Sequence, residues 1–186
     1  MKPSYRLYFS AIEQDERPRR IRETIAVEQL VRQVFGAGAV KRNLPSGMPV
    51  VEVPGGGNPV VSISHSAKEA VLVVSCDGTP VGVDIEEFRP ALRRVVPKFL
   101  NADEAAAYTG DDALLKAWTL KEAAYKAACT PGLSLLDICL PSGDDIIRLS
   151  DGRTFRVLES RYYGNSCISV VGGCLSVYHG KGVDAY

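Results

Sequence analysis

Apolar and polar positions fall into two kinds of pattern, and each half of the chain shows both. The opening run SYRLYFSAI alternates as a half-buried strand does. A charged connection, EQDERPRRIR, follows and carries Arg17, Arg19, Arg20 and Arg22. In ETIAVEQLVRQVFG the residues Ile25, Val27, Leu30, Val31 and Val34 sit near helical spacing, and Gly36 reads as the stop. The Pro- and Gly-rich stretch KRNLPSGMPVVEVPGGGNP reads as loop around one short strand. Three strands are predicted next: VVSIS (60–64), AVLVVSC (70–76) and PVGVDIE (80–86). Asp77-Gly78 predicts a hairpin between the last two.

The middle of the chain switches to helical spacing. Pro90 opens ALRRVVPKFL, which Pro97 interrupts. NADEAAAYTG reads as a short helix capped by Asn101 or Asp103 and stopped by Gly110. Asp111 or Asp112 caps the Ala-, Leu- and Lys-rich ALLKAWTLKEAAYKAAC, which ends before Pro131-Gly132. Strand-like runs then return: LSLLDICL, DIIRLSDG, RTFRVLESRYY, SCISVVGG and CLSVYHG. No sequence repeat is present, yet each half offers a helix followed by strands. The expected fold is α+β, with two similar lobes, each a small antiparallel sheet packed with helix. The boundary is expected near residues 78–82, giving an N-terminal lobe of 1–79 and a C-terminal lobe of 80–186.

Composition narrows the function classes. With 186 residues, 46% hydrophobic and 24% charged, a full core is within reach. Lys plus Arg and Asp plus Glu balance at 22 each, which argues against a nucleic-acid binder. The five cysteines, Cys76, Cys129, Cys139, Cys167 and Cys174, form no CxxC pair, so neither a disulfide framework nor a zinc knuckle is expected. No apolar signal region opens the chain, and no window reaches the roughly 18 apolar residues of a membrane span. The expectation is a reducing, cytoplasmic setting.

Three segments carry candidate chemistry. In TPVGVDIEEF, Asp84 and Glu86 share one face of a strand and can converge on one ion. Neighbouring carboxylates raise each other's pKa unless a cation lies between them, and hard oxygen ligands suit Mg²⁺ or Mn²⁺. Read alone, the pair fits a solvated strand end better than a metal site. In WTLKEAAYKA, Glu122 and Lys126 share a helix face, as do Lys121 and Tyr125. Read alone, this is a surface ion pair with Trp118 as a core anchor. In VSISHSAKEA, Ser64, His65 and Ser66 sit at a strand end, where hydroxyls, an imidazole and free N–H groups can hold a phosphate or simply form a turn. His179 in the tail has no partner visible in sequence.

Taken together and in order, ISHS (63–66), VGVDIE (81–86) and WTLKEAAYK (118–126) resemble the marks of the 4′-phosphopantetheinyl transferases, Sfp-like group. FLNADE (99–104) and GLSL (132–135) fit the same pattern. The resemblance covers roughly residues 61–135 and implies the pseudo-twofold fold of that family. It implies transfer of 4′-phosphopantetheine from coenzyme A to a serine of an acyl or peptidyl carrier protein, with adenosine 3′,5′-bisphosphate leaving. By the family's pattern Asp84, Glu86 and Glu122 hold Mg²⁺, His65 and Ser64 contact coenzyme A phosphates, and Lys121 and Lys126 steady phosphate charge. Glu122 takes the serine proton, directly or through a water, and Glu104 is a helper without an assigned role. Arg89, Arg93, Arg94 and Lys98 offer a basic docking face for the carrier protein, or a solvated helix face.

Three departures stand out. Met48 occupies the place of the family's lysine in GKP, and TPGL replaces GKGL. The N-terminal lobe is short, leaving Arg19, Arg20 and Arg22 as stand-ins for the residues that grip the 3′-phosphate. Weaker discrimination for that phosphate is expected. The rival readings are a Mg²⁺-dependent nuclease and a non-enzymatic module that binds carrier proteins or coenzyme A. Two lobes in one chain point to a monomer.

Overall fold

The computed structural model describes residues 4–174. Its first module runs β1 (Tyr5–Ala11), α1 (Arg19–Phe35), β2 (Val40–Asn43), β3 (Pro49–Glu52), β4 (Val61–His65) and β5 (Glu69–Ser75). β1, β5 and β4 form an antiparallel sheet in that order, and β2 and β3 form a separate hairpin. Helix α1 buries Ala26, Val27 and Leu30 against Ala70 and Leu72 of β5. The second module runs β6 (Val81–Glu87), α2 (Ala91–Val95), α3 (Ala102–Ala107), α4 (Asp111–Ala128), β7 (Ile138–Cys139), β8 (Ile146–Leu149), β9 (Thr154–Tyr163) and β10 (Ser166–Cys174). Its sheet has the order β6-β10-β9-β8-β7.

The two modules share one plan. In each, the first strand pairs antiparallel with the last, the last with the one before it, and the principal helix follows the first strand. The α+β, two-module, pseudo-twofold organisation is therefore present. Apolar residues of both sheets close the junction: Val71 and Val73 pack with Val83, Ile85, Ile168 and Val170. On one flank β4 lies beside β6 through side chains rather than a backbone ladder: Val83 N donates to Ser62 Oγ (3.2 Å) and Ile85 N to Ser64 Oγ (3.4 Å). On the opposite flank β1 meets β9, where Tyr5 donates to Glu159 (2.7 Å) and Phe9 stacks near Tyr163, centroids 5.7 Å apart.

Strand alternation on β6 positions the chemistry. Val81, Val83 and Ile85 point into the junction core, so Gly82, Asp84 and Glu86 point the other way, toward α4. A Cβ on Gly82 would lie 1.9 Å from Ala123 O and 2.7 Å from Ala127 N. The helix backbone rests directly on the strand there, against the small residues Ala123 and Ala127, both buried.

Several elements differ from the sequence expectation. Asp77-Gly78 does turn the chain: Asp77 accepts from Ser75, from Thr79 N and from the Thr79 hydroxyl, and Gly78 takes φ 79°. It joins strands of different sheets, however, and so makes no hairpin, because burial of both apolar faces at the junction outweighs the local turn signal. The Pro/Gly-rich stretch holds two paired strands, not one. Helix α1 begins at Arg19, just after Pro18, which has no N–H to leave unpaired at a helix start. Gly110, not an aspartate side chain, precedes α4, and Asp111 and Asp112 lie in its first turn, where their charge favours the helix dipole. LSLLDICL holds a three-residue 3₁₀ turn followed by two strand residues, and β10 continues through Cys174. The tail with His179 lies outside the described residues.

Candidate functional site

Asp84 sits at the meeting point of β4, β6 and α4. It is 5% exposed. Its Oδ1 accepts from the Ser64 hydroxyl (2.8 Å) and from Lys126 Nζ (2.8 Å). Lys126 also donates to Ser64 Oγ and to Val83 O, both at 3.0 Å. Helix α4 delivers Lys126 because its alanine face lets it approach β6 closely. Glu122 lies one turn earlier on the same helical face and lines the same cleft. The α4 and β6 carboxylates that are far apart in sequence thus feel one another. The Glu122 carboxyl is pushed above the usual glutamate range first by burial, then by the charge of Asp84, with Lys126 opposing and Glu86 adding to the rise. Glu86 is raised by burial and then by Asp84, against the pull of Arg89, Lys126 and Arg19.

This donor set can be weighed for a divalent cation. Among the described residues no three acidic, histidine or cysteine side chains stand close enough, as they are, to hold a metal ion. Glu86 is turned to Arg89, which donates to both its oxygens at 3.0 Å. Asp84 Oδ2, however, is buried without a hydrogen-bond partner. A buried acceptor lacking a donor, beside two carboxylates raised by burial and by their neighbours' charge, suits a hard, oxygen-ligated cation. Asp84, Glu86 and Glu122 fit such an ion, with Glu86 having to leave Arg89 to reach it.

The cleft beside Glu122 and Lys126 encloses about 330 Å³ between α4, β4 and the β2–β3 turn. Met48, Tyr125 and Pro131 give it apolar walls. It shares Gly47, Pro49 and Ile63 with a larger groove of about 660 Å³ that runs on to Arg20, Lys41 and His65. The result is one continuous trough, with Glu122 and Lys126 at one end and Arg20, Lys41 and His65, interleaved with Glu23 and Glu28, at the other. Arg20 and His65 line the groove; Arg19 does not, and its guanidinium donates to Glu23 (2.5 Å). His65 Nδ1 lies 3.5 Å from the same Glu23. Arg22 donates to Glu13 O and to Gln14 Oε1, away from the groove.

The remaining candidates are placed elsewhere. Lys121 is fully buried and donates to Glu104 Oε2 (2.6 Å) and Leu135 O (3.1 Å), beneath α4 and away from the cleft. Burial pushes its pKa down while Glu104 pulls it back up. Glu104 completes a capping box with Asn101 and accepts from Leu140 N (2.8 Å), so it ties α3, α4 and the segment before β8 together. Arg93 is engaged bidentately by Asp111, whereas Arg94 and Lys98 have no ion pair among the described residues. Sequence reasoning passed over Gly82 and Lys41. The first had a signal, a glycine inside a strand; Lys41 had none, since only the β2–β3 hairpin turns it into the groove.

Comparison with known proteins agrees with this geometry. The family model described as the 4′-phosphopantetheinyl transferase superfamily matches residues 80–170, which run from the start of β6 through most of β10. The 4′-phosphopantetheinyl transferase psf-1 of Bacillus pumilus is 31% identical over 119 residues, covering 56% of this chain and 49% of the relative. The chain thus spans about half the length of that curated relative. With the pseudo-twofold sheets in place and Asp84 facing Glu122 and Lys126 across β6 and α4, the chain is similar to the 4′-phosphopantetheinyl transferase superfamily over residues 80–170.

Proposed function

We propose that this protein transfers the 4′-phosphopantetheine group from coenzyme A to a serine hydroxyl of an acyl or peptidyl carrier protein, dependent on Mg²⁺ or Mn²⁺, releasing adenosine 3′,5′-bisphosphate. The observation that carries this reading is the continuous trough: Glu122 and Lys126 at one end, and Arg20, Lys41 and His65 at the other, with Glu23 and Glu28 beside them. A ligand with a reactive pyrophosphate and a distant phosphate matches that spacing of charge. The N-terminal module then supplies phosphate contacts through Arg20 and His65, and the C-terminal module supplies the carboxylates and α4. Two modules in one chain build the whole trough, which supports a monomer.

The chemistry divides among the residues. Asp84, Glu86 and Glu122 would hold the cation, which when bound neutralises charge on the pyrophosphate oxygens. Glu122 would take the serine proton, directly or through a water; its position on the cleft wall and its raised pKa support this role. Lys126 steadies Asp84 and adds positive field at the reacting phosphate. Lys121 serves by fixing α4 through its buried pair with Glu104. The serine oxygen attacks the β-phosphorus, and the bond to the departing nucleotide bisphosphate breaks.

The test is the intact mass of apo carrier proteins after incubation with this protein, coenzyme A and Mg²⁺. A gain of the phosphopantetheine mass is expected. No gain across fatty-acid, polyketide and peptide-synthetase carriers would sink the reading, and nicking of supercoiled plasmid under the same conditions would replace it with a nuclease.

A further inference from the structure

Around Asp84 the hydrogen-bonding valences close, and one atom is left over. A serine hydroxyl has one hydrogen to give and two lone pairs. Ser64 gives its hydrogen to Asp84 Oδ1 (2.8 Å) and accepts from Lys126 Nζ (3.0 Å) and, at longer range, from Ile85 N (3.4 Å). A lysine ammonium has three hydrogens. Lys126 directs them to Asp84 Oδ1 (2.8 Å), Ser64 Oγ (3.0 Å) and Val83 O (3.0 Å). Both side chains thus spend all their hydrogens within the cluster. The side-chain atom left open in this cluster is Asp84 Oδ2, buried and without a partner. Ser64 itself is 7% exposed and lines neither part of the trough.

We propose that Ser64 is a positioning residue. With Lys126 it pins Asp84 Oδ1, so that Oδ2 alone is presented to a divalent cation, and it does not touch a coenzyme A phosphate. The inference rests on the transfer reading above and assigns Ser64 a different role from the one the family resemblance implied. For the hydroxyl to contact a phosphate it would have to leave a buried carboxylate, which costs more than an ordinary exchange of partners. Pinning one oxygen also removes the rotational freedom that a lone ligand carboxylate would lose on binding. Ser62, two residues earlier on β4, is a built-in control: it accepts from Val83 N (3.2 Å) but bonds no carboxylate.

The experiment measures Mn²⁺ affinity of the full chain by paramagnetic resonance, with and without coenzyme A, and the KM for coenzyme A in the transfer assay. Ser64→Ala is expected to weaken Mn²⁺ binding about ten-fold or more. Its KM for coenzyme A should stay within about two-fold of wild type while kcat falls. Ser64→Thr should restore Mn²⁺ affinity, and Ser62→Ala should keep it. Ser64→Cys, near-isosteric with a weak donor, replaces the alanine variant if that one does not fold. Unchanged Mn²⁺ affinity with a raised KM for coenzyme A would make Ser64 a phosphate contact and overturn the proposal. An equal loss in Ser62→Ala would overturn it too, as would a wild-type protein that binds no Mn²⁺. If wild type binds Mn²⁺ yet modifies no carrier, the transfer reading fails while the Mn²⁺ data still decide the role of Ser64.

Discussion

Asp84, Glu86 and Glu122 make the protein work against its own charge when no cation is present. Burial and neighbouring carboxylates raise both glutamates. A carboxyl whose folded pKa exceeds its unfolded value stabilises the fold at low pH, and that contribution is lost as pH rises through the folded pKa. Metal-free protein should therefore lose this part of its stability as pH rises above the ordinary glutamate range and through the raised folded values. Mg²⁺ should raise Tm at high pH and do little at low pH, which a thermal-melt series with and without the ion would read. An equal Mg²⁺ shift at both ends would contradict the assignment of these carboxylates. Glu122→Gln removes the charge without the volume. Its Tm at high pH should match or exceed wild type, while its turnover falls by about two to four orders of magnitude. Near-normal turnover would retire Glu122 as ligand and base.

The elements matter through one contact, that of α4 with β6. Gly82 is where strand and helix touch backbone to backbone, and no side chain there can swing aside. Gly82→Ala should destabilise by about 3 kcal/mol or more, at the upper end of overpacking effects. Urea unfolding measures this directly, and a midpoint unchanged from wild type would mean that the helix can shift freely on the strand. Any shift would carry Glu122 and Lys126 away from Asp84, so turnover should fall further than stability alone accounts for. Phe99 packs edge-on against Trp118, centroids 5.1 Å apart, and the Glu104–Lys121 pair braces the far side of the same helix. Breaking that pair would leave one charge buried alone and loosen the hold on α4.

At the scale of the molecule, two modules of one plan meet and leave two unlike flanks. One holds Ser64, Asp84 and Lys126; the other is filled by the Tyr5–Glu159 bond and the Phe9–Tyr163 pair. Beyond the first flank, Arg94 and Lys98 carry charge with no ion pair among the described residues, while Arg89 and Arg93 are held by Glu86 and Asp111. If an acidic carrier protein docks here, Arg94→Glu with Lys98→Glu should raise the carrier KM by about ten-fold and leave the coenzyme A KM unchanged. Equal changes in both constants would remove this face from recognition. Among the described residues no helix is long and apolar enough to cross a membrane.

Local patterns made much of this legible. Alternation placed Asp84 and Glu86 on one strand face, the four-residue spacing placed Glu122 and Lys126 on one helix face, and Asn101 was one of two caps offered for α3. These depend on neighbours within a turn or two along the chain, so the amino-acid order alone fixes them. What it could not fix was which faces meet. A strong turn at Asp77-Gly78 looks the same whether it closes a hairpin or links two sheets, and a lysine at 121 looks the same whether it reaches a phosphate or Glu104. Lys41 gained its place only when β2 and β3 paired, and Ser64 lost its freedom only when β4 came to lie beside β6. Those outcomes were decided by long-range burial, because free energy released at the junction of two sheets is not written in any one segment.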